Sequence, residues 1–220
     1  MNVPYLRESE IENAALNLLH RYETSAGGTT GFAINVEDIA EHELELDIVP
    51  ADLEKDIPEI DFGDAIGALQ LSDMTIYVDE EKNMVPGRFR FTVAHEIAHY
   101  ELHRMLLQSI NNQTDFFNSV VSKDKIVCRS SQQNTRIEWQ ANRFAGALLM
   151  PERSIIMKIG DIKSRLGLNQ NDALDNLSLI ELNRIANIIM HDFNVSHQAV
   201  IIRLNELRIL PRMEQRVLWS

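Results

Sequence analysis

An α+β fold, helix-dominated and with a small β-sheet toward its front, is what this sequence predicts. Three observations carry that expectation. Apolar residues recur at helical spacing through Glu10–Tyr22 and again from Arg88 to about Leu107. Gly67–Leu71 and Met74–Val78 are two short apolar runs separated by Ser72-Asp73, which is hairpin spacing. Ser178 and Glu181 stand three apart at the head of another periodic run, the signature of a capping box.

The elements follow in order. In Glu10–Tyr22 the residues Ile11, Ala15, Leu18, Leu19 and Tyr22 share one face of a helix. Ser25–Gly31 holds three glycines and breaks the chain. Val36–Glu43 predicts a short second helix, followed by a strand through Leu44–Val49 that stops at Pro50. Asp52–Ile66 is acidic, contains Pro58 and reads as loop or irregular turn. The hairpin comes next, and Pro86-Gly87 is expected to interrupt the chain before the helix that begins at Arg88. Ser109–Arg136, rich in Asn, Gln, Ser and Thr, reads as a long connection that could hold a helical turn within Asp115–Val121. A helix from about Thr135 stops at Leu149, before Pro151. Ser178 opens a helix to about His191, and Ser196 caps a last one to about Leu207.

At 220 residues and 45% hydrophobic content, the chain can bury one substantial core, or one core and a small appendage. No apolar run approaches the roughly 18 residues that would cross a bilayer, so no membrane partner is expected. The opening residues Met1–Glu8 do not read as a signal peptide, and a single cysteine, Cys128, suits a reducing compartment. A cytoplasmic protein is the expectation.

Charge is unevenly spread. Residues 1–81 carry 20 Asp/Glu against 3 Lys/Arg, and residues 82–220 carry 13 against 18, within a net charge of -12. A front half at -17 argues against nucleic acid there and would suit a basic partner, although solvated carboxylates also serve solubility. Behind Ser196 stand Arg203, Arg208, Arg212 and Arg216 against Glu206 and Glu214. That balance is thin for a phosphate footprint, so direct nucleic-acid binding is not expected of the last helix pair.

The chemistry sits in Phe91–Tyr100, which contains His95-Glu96-Ile97-Ala98-His99. One helical turn separates the two histidines by about 40° and about 6 Å, so both imidazoles can reach one tetrahedral ion. Glu96, about 100° round from His95, lies beside such an ion and can act as a base. His103 continues the four-residue spacing but lies about 12 Å along the axis from His95, too far to share its ion. It is expected to support the site rather than ligate. With a lone cysteine, a thiolate-rich structural site is excluded, which leaves a catalytic zinc needing one more ligand. Glu138 in Glu138-Trp139-Gln140-Ala141-Asn142 is the best candidate, with Asn142 one turn on to orient an imidazole. Glu101, Asp115, His191 and His197 remain competitors. No oxyanion-stabilising group is assignable; Tyr77, His191 and His197 are candidates.

Arg90–His99, followed by Glu138–Pro151, resembles the ImmA/IrrE family of metallopeptidases, with its R-F-T-x-A-H-E-x-x-H and E-x-x-A-N-x-F-A-x-x-L-L-M-P motifs. The likeness extends upstream through Val36–Ala40 and the hairpin, and downstream through Phe193–Ser196 and Ala199–Leu207. Ala98 departs from the glycine common there. The resemblance implies Glu138 as third zinc ligand and a zincin-like fold, α+β with a small mixed β-sheet and a C-terminal helical extension. A metallopeptidase domain over 1–165 and a helical subdomain over 166–220 packed on it are expected. It also implies a protein substrate, a DNA-binding repressor of a mobile element or stress response. A regulatory protein that displaces a repressor without cutting it, or a toxin/antitoxin-type module, is the alternative. In zincins an edge strand near the metal holds the substrate in extended form, and the hairpin Gly67–Val78 lies within the acidic front half.

Overall fold

The computed structural model describes residues 4–27, 31–56, 65–110, 121–122, 125–129, 136–169, 174 and 177–210. It divides into two compact units, Met1–Thr29 with Asn35–Leu149, and Thr30–Ile34 with Met150–Ser220. The class is the one expected: helix-dominated α+β with a small mixed sheet.

In the first unit α1 spans Glu8–Ala26 and buries Ile11, Ala15, Leu18, Leu19 and Tyr22, the face its periodicity dictates. It ends at Gly27, whose φ of 79° suits a residue without a Cβ. Val36–Asp38 forms α2, which runs into a π-helical turn over Ile39–Glu43 where Leu44 N–H reaches Ile39 C=O. β1 is Asp47–Ala51, α3 Leu53–Asp56, β2 Ala65–Gln70 and β3 Thr75–Asp79. α4 runs Pro86–Ile110, β4 Val121–Ser122, β5 Lys125–Arg129 and α5 Arg136–Leu149.

Among the described residues the sheet order is β1-β3-β2-β5-β4, with β1 parallel to β3 and the other neighbours antiparallel. Several sequence expectations change here. β1 does not stop at Pro50 but runs through it. An edge strand has no partner on one side, so the missing N–H of a proline costs it no ladder bond. Pro86 is the first residue of α4 rather than a break ahead of it; an N–H is superfluous in a first turn. The polar connection 109–136 contributes β4 and β5, and Cys128 lies on β5 rather than in a loop. The possible helical turn at 115–121 falls almost wholly outside the described residues. Because β5 pairs with β2, neither hairpin strand is an edge, so the hairpin cannot itself receive an added substrate strand.

α4 and α5 form the middle of this unit. Every residue from Val93 to His99 is buried, as is almost all of α5. Such helices must satisfy each polar side chain internally. Thr92 donates to Asn83 Oδ1 at 2.8 Å, and Asn83 Nδ2 donates to Ile66 C=O at 2.7 Å, which ties the start of β2 to α4.

The second unit holds α6 over Glu152–Arg165, α7 over Leu179–Phe193 and α8 over His197–Glu206. α6 has no counterpart in the sequence expectations; Pro151, read as a stop, is its N-cap. The capping box of α7 is present, with Ser178 Oγ accepting from Glu181 N–H and Glu181 accepting from Ser178 N–H at 2.8 Å. Ser196 Oγ accepts from Ala199 N–H at 3.1 Å. No helix among the described residues is long and apolar enough to cross a membrane.

Candidate metal centre

α4 carries His95, Glu96, His99 and His103, and α5 carries Glu138, Gln140 and Asn142. All except Asn142, which is partly buried, are buried. Helix pitch sets His95 and His99 one turn apart, and α5 packs along α4 so that Glu138 meets both. His95 Nε2 lies 2.9 Å from His99 Nε2 and 3.1 Å from Glu138 Oε2, while His99 Nε2 lies 3.5 Å from Glu138 Oε1. A tetrahedral ion with bonds of about 2.0–2.1 Å would separate its ligand atoms by about 3.3 Å. The observed distances bracket that value. Two imidazoles and a carboxylate are also the donor set of a catalytic zinc site, so these residues fit the ion.

The surrounding contacts orient the rings. His95 Nδ1 is 2.9 Å from Asn142 Oδ1, which can only accept, so Nδ1 carries the proton and Nε2 presents its lone pair. His99 Nδ1 is 3.1 Å from His103 Nδ1, and His103 Nε2 is 2.8 Å from Gln140 Oε1. Burial pushes the His99 imidazole well below its ordinary value, helped by His95 and His103 on either side. Burial also lowers His103, against the opposing hydrogen bond to Gln140. Neutral imidazoles are the form that ligates metal.

Glu96 is fully buried beside β2. A Cβ at Gly67 would stand 3.0 Å from Glu96 Oε1 and 2.5 Å from Thr92 Cγ2. The strand can approach this helix only because position 67 has no side chain.

Glu101 pairs with Arg21 at 3.1 Å. Asp115 falls outside the described residues. His191 is exposed beside Asp192, and His197 is the first residue of α8, both in the second unit. Tyr77 stands opposite Ala68 in the β2–β3 ladder, whereas Gly67, the neighbour of Glu96, faces the other way. Its hydroxyl donates to Asp73 at 3.1 Å, and its ring packs on Ala51, Leu53, Ala65 and Ala68. Tyr77 therefore turns away from this centre. Gln140 was not anticipated: it lies about 200° round α5 from Glu138, outside any single-face reading. Its one sequence signal is an amide inside an otherwise buried helix.

Residues 57–205 match the sequence model of Peptidase_M78, the IrrE N-terminal-like domain, and the chain belongs to that family. The matched span takes in α4, α5 and all of α7. Among curated proteins none matches. The fold is similar to that of a Mycobacterium tuberculosis transcriptional regulator, with a TM-score of 0.53 and 20% identity. That likeness covers 94% of this chain and 50% of the other, so the chain spans about half the length of its structural neighbour.

Proposed function

We propose that the chain is a zinc-dependent endopeptidase in which His95, His99 and Glu138 hold the ion and Glu96 is the general base. The observation that carries this reading is the convergence of His95 Nε2, His99 Nε2 and the Glu138 carboxylate, all within 4.8 Å of one another and all buried. When bound, zinc would polarise the scissile carbonyl and acidify water. The protein's own residues do the rest. Asn142 and His103 hold the two imidazoles by their Nδ1 atoms, so each Nε2 faces inward. Glu96, one residue from His95, takes the proton of the attacking water and returns it to the departing amine. Gly67 lets β2 close over the Glu96 carboxylate.

The proposed substrate is a regulatory protein, a basic DNA-binding repressor in a cytoplasmic setting. Family membership and the regulatory neighbour support a protein target, and the acidic residues of the front half would favour a basic one. Glu96→Gln is the test. An amide cannot accept the proton, so cleavage should fall about 10²–10⁴-fold while metal content and fold persist. A Glu96→Gln protein that regulated its target as well as the parent would favour the non-cleaving, repressor-displacing reading.

A further inference from the structure

Gln140 has two amide contacts, and together they have a direction. Its Nε2 lies 2.9 Å from Pro4 C=O, just ahead of α1. A carbonyl oxygen can only accept, so Nε2 is the donor and Oε1 must be the end that faces His103. Oε1 lies 2.8 Å from His103 Nε2 and can only accept, so Nε2 of that ring bears the hydrogen. A neutral imidazole has one N–H, which leaves His103 Nδ1 as an acceptor. Its partner at 3.1 Å, His99 Nδ1, must then donate, and His99 Nε2 is left with its lone pair. That atom is the one that meets His95 and Glu138. Both rings and the amide are almost wholly buried, so water does not compete for these bonds.

We infer that Pro4 C=O, Gln140, His103 and His99 form a one-way hydrogen-bonded chain that locks His99 in its metal-binding tautomer, with Gln140 and His103 as positioning residues. The inference deepens the zinc reading and rests on His99 being a ligand. The backbone carbonyl matters because its role as acceptor cannot invert. A hydroxyl in that place could serve either way and would leave the tautomers free to exchange. The chain also makes the segment ahead of α1 part of the metal centre. The first residue of α1, Glu8, is itself held on α5 by Arg143 at 3.2 Å.

The experiment uses the full chain, with zinc itself as the probe. Nitrogen-15 shifts of the imidazoles report the tautomers in metal-free protein, and chelator competition reports zinc affinity. The parent should show His99 as Nδ1–H and His103 as Nε2–H. Gln140→Leu removes the directing acceptor. It should mix the tautomers of both rings and weaken zinc about 10–100-fold, the usual loss when a ligand's orienting partner is removed. Gln140→Glu restores an acceptor toward His103 and, with its other oxygen protonated against Pro4 C=O, a donor in place of Nε2; in that form it should recover the His99 tautomer and most of the affinity. Unchanged tautomers in Gln140→Leu would overturn the chain. So would a Gln140→Glu protein as impaired as Gln140→Leu, since that result assigns Gln140 to packing alone. His99→Ala separates the two claims: undiminished zinc affinity there would overturn the ligand reading, while the tautomers of the metal-free parent judge the chain independently.

Discussion

Buried polar groups occur in both units, and those that meet between α4 and α5 are of a different kind from those of the second unit. In the second unit Lys158 meets Asp192, and Arg203 donates to Met150 C=O at 3.0 Å and lies 3.4 Å from Glu206. A cation there ends on an anion or a carbonyl, and the contact is closed. In the α4–α5 pair the atoms that converge are two imidazole nitrogens and a carboxylate, which are all electron-pair donors. Burying charge demands compensation in either place. The second unit carries its compensation in its own groups, whereas the α4–α5 arrangement would be completed by a metal cation. Buried polarity alone therefore does not mark a functional site; the sign of the groups that meet does.

Removing one group from each of these two places should have opposite consequences. Glu138→Ala should weaken zinc binding by orders of magnitude while helical content, read by circular dichroism, stays close to the parent's. Normal zinc affinity would contradict its role as ligand and return Glu101 and Asp115 to contention. Asp192→Ala should do the reverse. Leaving the buried Lys158 with only the more distant Asp161, at 3.9 Å, should destabilise the protein by about 1–3 kcal/mol in chemical denaturation, without changing zinc affinity.

Gly67→Ala comes next in size. The added methyl would sit 2.5 Å from Thr92 Cγ2, so strand or helix must move, at a cost of about 1–3 kcal/mol. Thr92→Ser removes that methyl carbon and should recover part of the loss. No recovery in the double variant would mean that the close approach is not what position 67 secures.

The Lys158–Asp192 pair is also sensitive to pH. Its hydrogen bond from Lys158 holds the Asp192 carboxyl below its ordinary 3.8. A depressed value in the folded state gives stability that is present above 3.8 and is lost as pH falls through the lower folded value. Asp192→Asn should therefore flatten the acid limb of the stability curve and leave the neutral region's slope alone. An unchanged acid limb would show the pair to be energetically silent.

The smallest effect expected is that of salt on the acidic front half. Attraction of a basic partner acts on association rate and is screened beyond about 8–10 Å, so cleavage or binding should slow between about 0.05 and 0.5 M salt. Neutralising Asp52, Glu54 and Asp56 should reproduce part of that loss. Salt-independent rates would assign these carboxylates to solubility.

What was legible in the sequence follows the range of the forces involved. His95, Glu96 and His99 could be placed together because helix pitch alone relates them. The caps at Ser178 and Ser196 were legible for the same local reason. Prolines misled: Pro50, Pro86 and Pro151 all read as stops, yet one lies in an edge strand and two begin helices. A proline says that an N–H is dispensable, not which element dispenses with it. The interior position of β2 depends on β5, more than 50 residues onward in a polar stretch, and no local pattern announces that pairing. Gln140 was passed over because its partners, His103 and Pro4, lie 37 and 136 residues away.

His95, His99 and Glu138 are proposed to gather one zinc ion. Anomalous diffraction at the zinc edge, from crystals of protein purified without chelator, tests it most directly. One strong peak per chain is expected, about 2.0–2.2 Å from His95 Nε2, His99 Nε2 and a Glu138 oxygen. A folded, metal-free chain, or a peak ligated by other residues, would contradict it.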